Sequence, residues 1–326
     1  MGIQQTFLRG YGGAAYDWGG DRGVFAGGWS QAQGPRSQNI QYINIASTGN
    51  SSNFGSLGVP AGGAYYQGGQ IGNGTRALFA GIDYDADVTN ERRRIDYVTT
   101  ATTGNSSDYG DLQAGGGRYA LGGISNKTRG LMGGGYLPPA SRDWIDYRTI
   151  ANTGTCQDFG DLTSARHYVA GCQDNTRGVW GGGYRVSPNP ASNEMDYATI
   201  MTTGHASDFG DMLSGNYAGR GGVGDTTRGC WMGGYQQTPT GQRVNNIDYI
   251  TIATTGDTTD FGDLVRTTAW GYPCGNETRG IYACGEEPAY TTGIDYFTIQ
   301  TTGNASDFGD MLSSKQRASA LSGDAA

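Results

Sequence analysis

The feature that most constrains this chain is a unit of Ile247–Leu264 type, IDYITIATTGDTTDFGDL, which recurs six times. The other copies begin at Ile40, Ile95, Ile145, Met195 and Ile294, and their tyrosines (Tyr42, Tyr97, Tyr147, Tyr197, Tyr249, Tyr296) stand 55, 50, 50, 52 and 47 residues apart. A second landmark keeps the same beat: Arg22, Arg76, Arg129, Arg177, Arg228 and Arg279, each ahead of a short apolar run that reaches glycine. Self-similarity at about 50 residues marks supersecondary units that bury their faces only by stacking on one another.

Each unit reads as four short strands. A small-residue run such as Tyr168–Gly171 meets a tight polar turn at Asp174-Asn175-Thr176, and Arg177–Gly181 follows. A loop of changing length leads to Met195–Met201, and a Thr-Thr-Gly-x-x-x-Asp turn leads to Phe209–Leu213. Alternation in IDYITI sets Ile247 and Tyr249 on one face and Asp248, Ile250 and Ile252 on the other. Bulk on both faces is expected of a strand held between neighbouring sheets. No amphipathic helix pattern interrupts this, so the expected fold is all-β, a six-bladed β-propeller of four-stranded antiparallel blades. Residues 1–326 form one domain, with repeats at approximately 1–57, 58–112, 113–162, 163–213, 214–264 and 265–312 and a tail at 313–326. Two segments compete for the inner place in the first blade. Gly12–Asp17 copies Gly62–Gln67, whereas Arg317–Gly323 again has first-strand wording. The aromatic area of Tyr16 and Trp18 favours Gly12–Asp17, which leaves the tail for a neighbouring molecule.

The 59 glycines recur at set places in the repeat, as turn and packing chemistry demands. A net charge of −8 argues against a nucleic-acid surface, and Met1–Gly10 holds no apolar run, so neither a leader nor membrane insertion is expected. Five cysteines without a Cys-x-x-Cys pair and only two histidines disfavour zinc; small buried thiols are expected. The pairs Asp108/Asp111, Asp158/Asp161, Asp208/Asp211, Asp260/Asp263 and Asp307/Asp310 suit turn hydrogen bonds better than catalysis, because Asn53 and Ser56 replace them in the first repeat. The landmark arginines are expected to pair with acids or with backbone carbonyls of adjacent blades. Asp83, Asp85 and Asp87 have the opening spacing of a Ca²⁺ loop. The glycine and closing glutamate are missing, which leaves them a weak metal candidate. No cofactor is implied.

The order apolar run, Gly-Gly, variable loop, apolar-x-Tyr, turn, aromatic, and a closing arginine such as Arg166 or Arg266 resembles the kelch propeller repeat. Gly133-Gly134, Gly182-Gly183 and Gly233-Gly234 fit its double glycine. Tyr147, Tyr197 and Tyr249 fit its tyrosine, and Phe159, Phe209 and Phe261 stand where kelch has tryptophan. The turn between Tyr249 and Phe261 is roughly double the kelch length. The fuller wording, TRGV-x-GG and then IDY-x-TIATTGNA-x-DFGDL, resembles repeat proteins of tailed-phage virions, particularly marine and cyanobacterial ones. That resemblance implies a virion location and a structural protein of tail, fibre or capsid decoration. Its implied partners are other virion proteins, further copies of itself, or a host-surface glycan or protein.

In such a blade the 1–2 and 3–4 turns share one face of the disc and are nearly uniform here. The 2–3 loops share the other face and differ in every copy, which marks them as the recognition surface. The candidate binding residues are Trp29, Arg36, Arg92, Arg93, Trp144, Tyr184, Arg185, Tyr235, Arg243 and Tyr290. No Ser–His–Asp wording exists, copper chemistry of the galactose-oxidase kind needs imidazoles this chain lacks, and no motif marks a sialidase. A non-enzymatic role is therefore expected, with a lectin-like or adaptor propeller outside a virion as the alternative.

Overall fold

A computed structural model describes residues 19–30, 36–59, 63–65, 68–84, 91–113, 116–186, 191–213, 217–218, 220–236, 241–287 and 289–324. Six four-stranded antiparallel sheets form a six-bladed propeller. From the axis outward, each blade has an inner, a second, a third and an outer strand. Blade 4 is typical: Ala170–Gln173, Arg177–Gly181, Glu194–Thr199 and Ser207–Asp211. The inner strands of blades 2, 3, 5 and 6 are Gln70–Gly72, Gly122–Ser125, Gly221–Gly224 and Tyr272–Gly275.

The inner strand of blade 1 is Ser319–Gly323, paired antiparallel with Arg22–Ala26 from Arg22↔Gly323 to Ala26↔Ser319. The tail is therefore the clasp that closes the ring, and the expectation that Gly12–Asp17 would take this slot is overturned; that segment lies outside the described residues. Connectivity fills the slot: like the other inner strands, Ser319–Gly323 follows the preceding blade's outer strand, with Gln316 paired to Trp29 and Arg317 N–H on the Trp270 carbonyl as His167 pairs with Tyr184 and Tyr168 N–H meets the Ala120 carbonyl. Successive inner strands approach so closely that a Cβ added to Gly123, Gly171 or Gly222 would strike backbone of the preceding blade's inner strand, at Gln70, Gly123 and Gly171 respectively. Ala320 holds the equivalent place in blade 1, where Gln70 and Pro273 stand in blades 2 and 6, and Ser319, Ala320, Ser322 and Gly323 are all buried.

The core lies between the blades. One face of the third strand of blade 5 sends Ile247 and Tyr249 into a cluster with Tyr282 and Phe297 of blade 6. The other face sends Ile250 and Ile252 into a cluster with Val179, Met195 and Phe209 of blade 4. The alternation of IDYITI thus serves two cores at once, as its bulk on both sides predicts. Trp180 and Trp231 are fully buried wedges whose indole N–H groups donate to the Gly122 and Ala170 carbonyls of the preceding blade, both at 2.9 Å.

The long 3–4 turn has a job that its wording did not disclose. In each blade it crosses to the outer strand of the preceding blade and completes that strand's exposed edge. Gly204 N–H donates to the Phe159 carbonyl and Ala206 N–H to the Asp161 carbonyl, both at 2.8 Å. The pattern repeats around the ring, ending with Gly49 on Phe308 and Ser51 on Asp310. The side chains of Asn105, Asn304 and Asn50 accept further N–H bonds from Ser56, Asp263 and Asp310. Outer strands are open edges that would otherwise template aggregation; here a belt of turns covers them.

Candidate functional site

Three layers of residues separate structure from function in this ring. The six landmark arginines form the first. Each guanidinium lies over the tyrosine of its own blade, from 4.4 Å (Arg177 on Tyr197) to 4.9 Å (Arg76 on Tyr97), and reaches carbonyls in the 3–4 turn of the next blade. Arg22 donates to Thr100 and Ala101, and Arg177 to Ile252 and Ala253. Arg279 donates to Ile45, which carries the pattern across the closure. Of the two expected partners, carbonyls and acids, these arginines take the carbonyls.

The acids are met by a second set of cations. Every third strand except that of blade 1 carries a buried aspartate: Asp96, Asp146, Asp196, Asp248 and Asp295. Their partners are Arg94, Arg118, Arg166, Arg220 and Arg266. Arg118 and Arg166 are completely buried, and Arg118 also donates to the Gly134, Met132 and Trp144 carbonyls. Burial nevertheless pushes the Asp295 carboxyl up to about 6 against the pull of Arg266, and raises Asp96 against Arg94. In blade 1 the place is neutral: Gln41 accepts from Ser51 Oγ and donates to Ser313 Oγ. The outer-strand aspartates Asp108, Asp158, Asp208, Asp260 and Asp307 are exposed, and Asp108 accepts from Gly110 N–H at 3.0 Å in the expected turn bond. Among the described residues no group of three metal-ligating side chains exists. Asp85 and Asp87 lie outside those residues, and only the backbone of Asp83 is described, paired with Ala64. The five cysteines are buried and free, as the spacing implied.

The third layer is the variable-loop face. Its loops are fastened down. Tyr136 pairs with Tyr119, Tyr184 with His167, Glu286 with Ala269 and Trp29 with Gln316, so each 2–3 loop is stitched to a 4–1 connection. Several of the candidate residues are consumed in this stitching. Arg92 is buried with its guanidinium 5.7 Å from the Tyr119 ring. Arg93 donates to the Leu112 carbonyl, Arg185 pairs with Glu194, and Arg243 pairs with Glu286 of the next blade. Arg36 covers Trp29 at 5.7 Å, and Trp144 is flanked by Arg118 and Arg142. Tyr290 Oη accepts from Gln316 Nε2 at 2.7 Å.

Tyr235 and Tyr184 lead towards the axis, where residues that sequence reasoning passed over are gathered. Tyr235 stacks on Trp270 at 5.5 Å and 22°. Tyr184 meets Tyr168 edge-on at 6.1 Å, and His167 packs among Tyr136, Tyr168 and Tyr184. His167 Nδ1 lies 2.9 Å from Ser141 Oγ, and burial lowers its pKa to about 4, so the ring is neutral. Arg317 of the clasp segment lies over both Trp270 (4.7 Å) and Tyr168 (5.7 Å), which come from blades 6 and 4. Tyr168, Trp270 and Arg317 hold equivalent places two residues ahead of the inner strand, and each has a left-handed backbone, with φ of 58°, 57° and 59°. The signal was available: aligning the repeats on their inner strands puts these three side chains in one column, facing one mouth.

Along the axis the inner strands of all six blades line a narrow cavity of about 30 Å³, room for about one water, and a second of about 20 Å³ lies among the inner strands and the residues just ahead of them. No protein-family model matches the chain and no curated protein matches it significantly, so the kelch-like and phage-virion likenesses rest on the repeat wording alone.

Proposed function

We propose that this protein is a non-enzymatic recognition and assembly propeller whose variable-loop face makes its partner contacts. Its proposed place is the particle of a tailed phage, as part of a tail, fibre or capsid decoration. One observation carries the first part: the two faces of the ring are used differently. The 1–2 and 3–4 turns are committed in blade after blade to the same bonds between neighbours, namely arginine on carbonyl and turn on outer strand. The other face differs from blade to blade and presents aromatic rings and guanidiniums that are neither fully buried nor fully exposed, the chemistry of interaction hot spots. The address in a virion is supported by the resemblance of the repeat.

Quantitative peptide mass spectrometry of density-purified particles tests the address. The expected result is this chain at a fixed ratio to the major capsid protein. Its recovery only from the soluble fraction of the lysate would refute it. Cross-linking in those particles tests the face: cross-linked positions should concentrate on the 2–3 loops and 4–1 connections. An even spread over both faces refutes that assignment.

A further inference from the structure

We propose that the outer rim of blades 4, 5 and 6, where it meets the variable-loop face, docks a protein surface that combines lysine or arginine with aliphatic side chains. This rests on the reading of that face as the contact face and names the chemistry of the partner at its edge.

The first observation is a column of aliphatic side chains. Just past their outer strands, blades 4, 5 and 6 carry Leu213, Val265 and Leu312, exposed by 56%, 52% and 60%. The same place in blades 1, 2 and 3 holds Gly58, Gln113 and Thr163. The exposure does not come from a loose chain, because the next blade pins each backbone N–H. Leu213 donates to Thr258 Oγ1 at 2.6 Å, Val265 to Asp295 Oδ2 at 3.0 Å and Leu312 to Ser51 Oγ at 2.9 Å. The other exposed large hydrophobic side chains among the described residues, Val186 and Met201, both belong to blade 4. Single apolar side chains on a surface need no explanation, but confinement to one half of a ring of repeats does.

The second observation is charge, which divides the ring at the same places. Residues 163–312, the repeats of blades 4 to 6, hold 16 acidic and 8 basic side chains, whereas the rest of the chain holds 14 of each. The outer-strand aspartates follow this division. Blade 1 has Asn53 and Ser56 in their place. In blade 2, Asp108 and Asp111 lie 4.0 Å and 3.9 Å from Arg94 and Arg93, and in blade 3 Asp161 meets His205 at 3.2 Å. In blades 4 and 5, Asp208, Asp211, Asp260 and Asp263 have no such cation among the described residues. Burial, and then the carboxylates of Asp257 and Asp208, raise the Asp211 pKa, as crowding of like charge along this edge requires. Uncompensated carboxylates beside fixed aliphatic groups complement a partner that is basic and apolar together. Nucleic acid and anionic membranes carry the wrong sign. A second copy is a poor complement as well: its other half is neutral, Arg93 and Arg94 are paired, and of its two lysines Lys315 is buried. The occupant is therefore a different protein.

The test is fluorescence anisotropy with the intact protein and a labelled 20-residue peptide in which leucines alternate with pairs of lysines. Two control peptides exchange every leucine for serine or every lysine for glutamine. The parent should bind the first peptide saturably, less tightly as salt is raised, and bind both controls more weakly. Leu213→Ser with Val265→Ser and Leu312→Ser should weaken binding roughly 10-fold or more, as should Asp208→Asn with Asp211→Asn, Asp260→Asn and Asp263→Asn. Both variants alter solvent-accessible side chains, so their melting temperatures should stay within a few degrees of the parent's. Met201→Ser, in a 3–4 turn on the opposite face, should bind as the parent does. The inference is overturned if the parent does not bind the peptide, if either control binds equally, or if either multiple variant binds undiminished. Sedimentation supplies a further refutation: self-association of the parent that the Leu213/Val265/Leu312 variant abolishes would assign the rim to a second copy. Should particle cross-links to the 2–3 loops persist in any of those cases, the contact face stands and only this partner chemistry falls.

Discussion

Removing the Arg166 side chain should cost far more than removing Arg177, although Arg177 is the residue that the repeat advertises. Arg166 is completely buried and donates to three acceptors: Asp196, the Gly182 carbonyl at 2.9 Å and the Glu194 carbonyl at 2.7 Å. Arg166→Ala leaves the buried Asp196 carboxylate without its cation and removes one donor from each of two carbonyls, of which that of Glu194 keeps the Gly182 N–H at 3.0 Å. Breaking one side of a buried pair costs about 3–5 kcal/mol. Arg177 is partly exposed, and its loss removes a cation–π contact and two rim hydrogen bonds, about 1–2 kcal/mol together. Urea unfolding at constant m-value measures both. The same logic ranks the other blades: Arg118 and Arg220, at 0% and 1% side-chain exposure, should behave like Arg166, whereas Arg94 and Arg266, at 24% and 25%, should cost less. A double replacement Arg166→Met with Asp196→Leu should recover most of the loss, because an apolar pair avoids the desolvation of both charges. Equal costs for Arg166→Ala and Arg177→Ala would refute the argument, as would a double variant no better than the single.

Three further outcomes follow from the structure. Leu321→Ala should cost about 2–4 kcal/mol because that side chain of the clasp is buried between blades 1 and 2, and truncation after Ser313 should abolish cooperative unfolding; a truncated chain with the parent's melting temperature would show that the tail is no clasp. Gly160→Ala, whose Cβ would strike the Gly204 carbonyl, should destabilise by about 2 kcal/mol or more beyond Gly204→Ala, which has a similar positive φ but nothing within 4 Å; matched melting temperatures would remove the edge-covering role of the turn. The neutral His167, whose pKa falls from 6.5 to about 4 on folding, contributes stability that is full above about pH 6.5 and is lost as the unfolded chain takes up its proton down to pH 4. His167→Gln should flatten that part of the pH–stability curve, and an unchanged slope would contradict the assignment.

How much of this was legible beforehand depends on how local each feature is. The sequence by itself determined the number of blades, the second strand of each, and the two-sided burial of IDYITI, because period and alternation are properties of contiguous residues. It also showed that charge was not essential at the third-strand site, since Gln41 stands there in blade 1. Only the tertiary structure decided which cation serves which carboxylate. The partners come from the third strand itself (Arg94), from the 4–1 connection (Arg118, Arg166, Arg266) and from the residue just before the inner strand (Arg220), because a long guanidinium reaches one point from several backbone positions. Ring closure was likewise beyond local reasoning. Aromatic area favoured Gly12–Asp17, but the slot goes to Ser319–Gly323, which follows the outer strand of blade 6 through the same kind of connection that leads into the other inner strands. The meeting of Tyr168, Trp270 and Arg317 depends on that closure. They are separated by 102 and 47 residues in sequence and share one mouth because a closed ring turns every equivalent position towards the same axis.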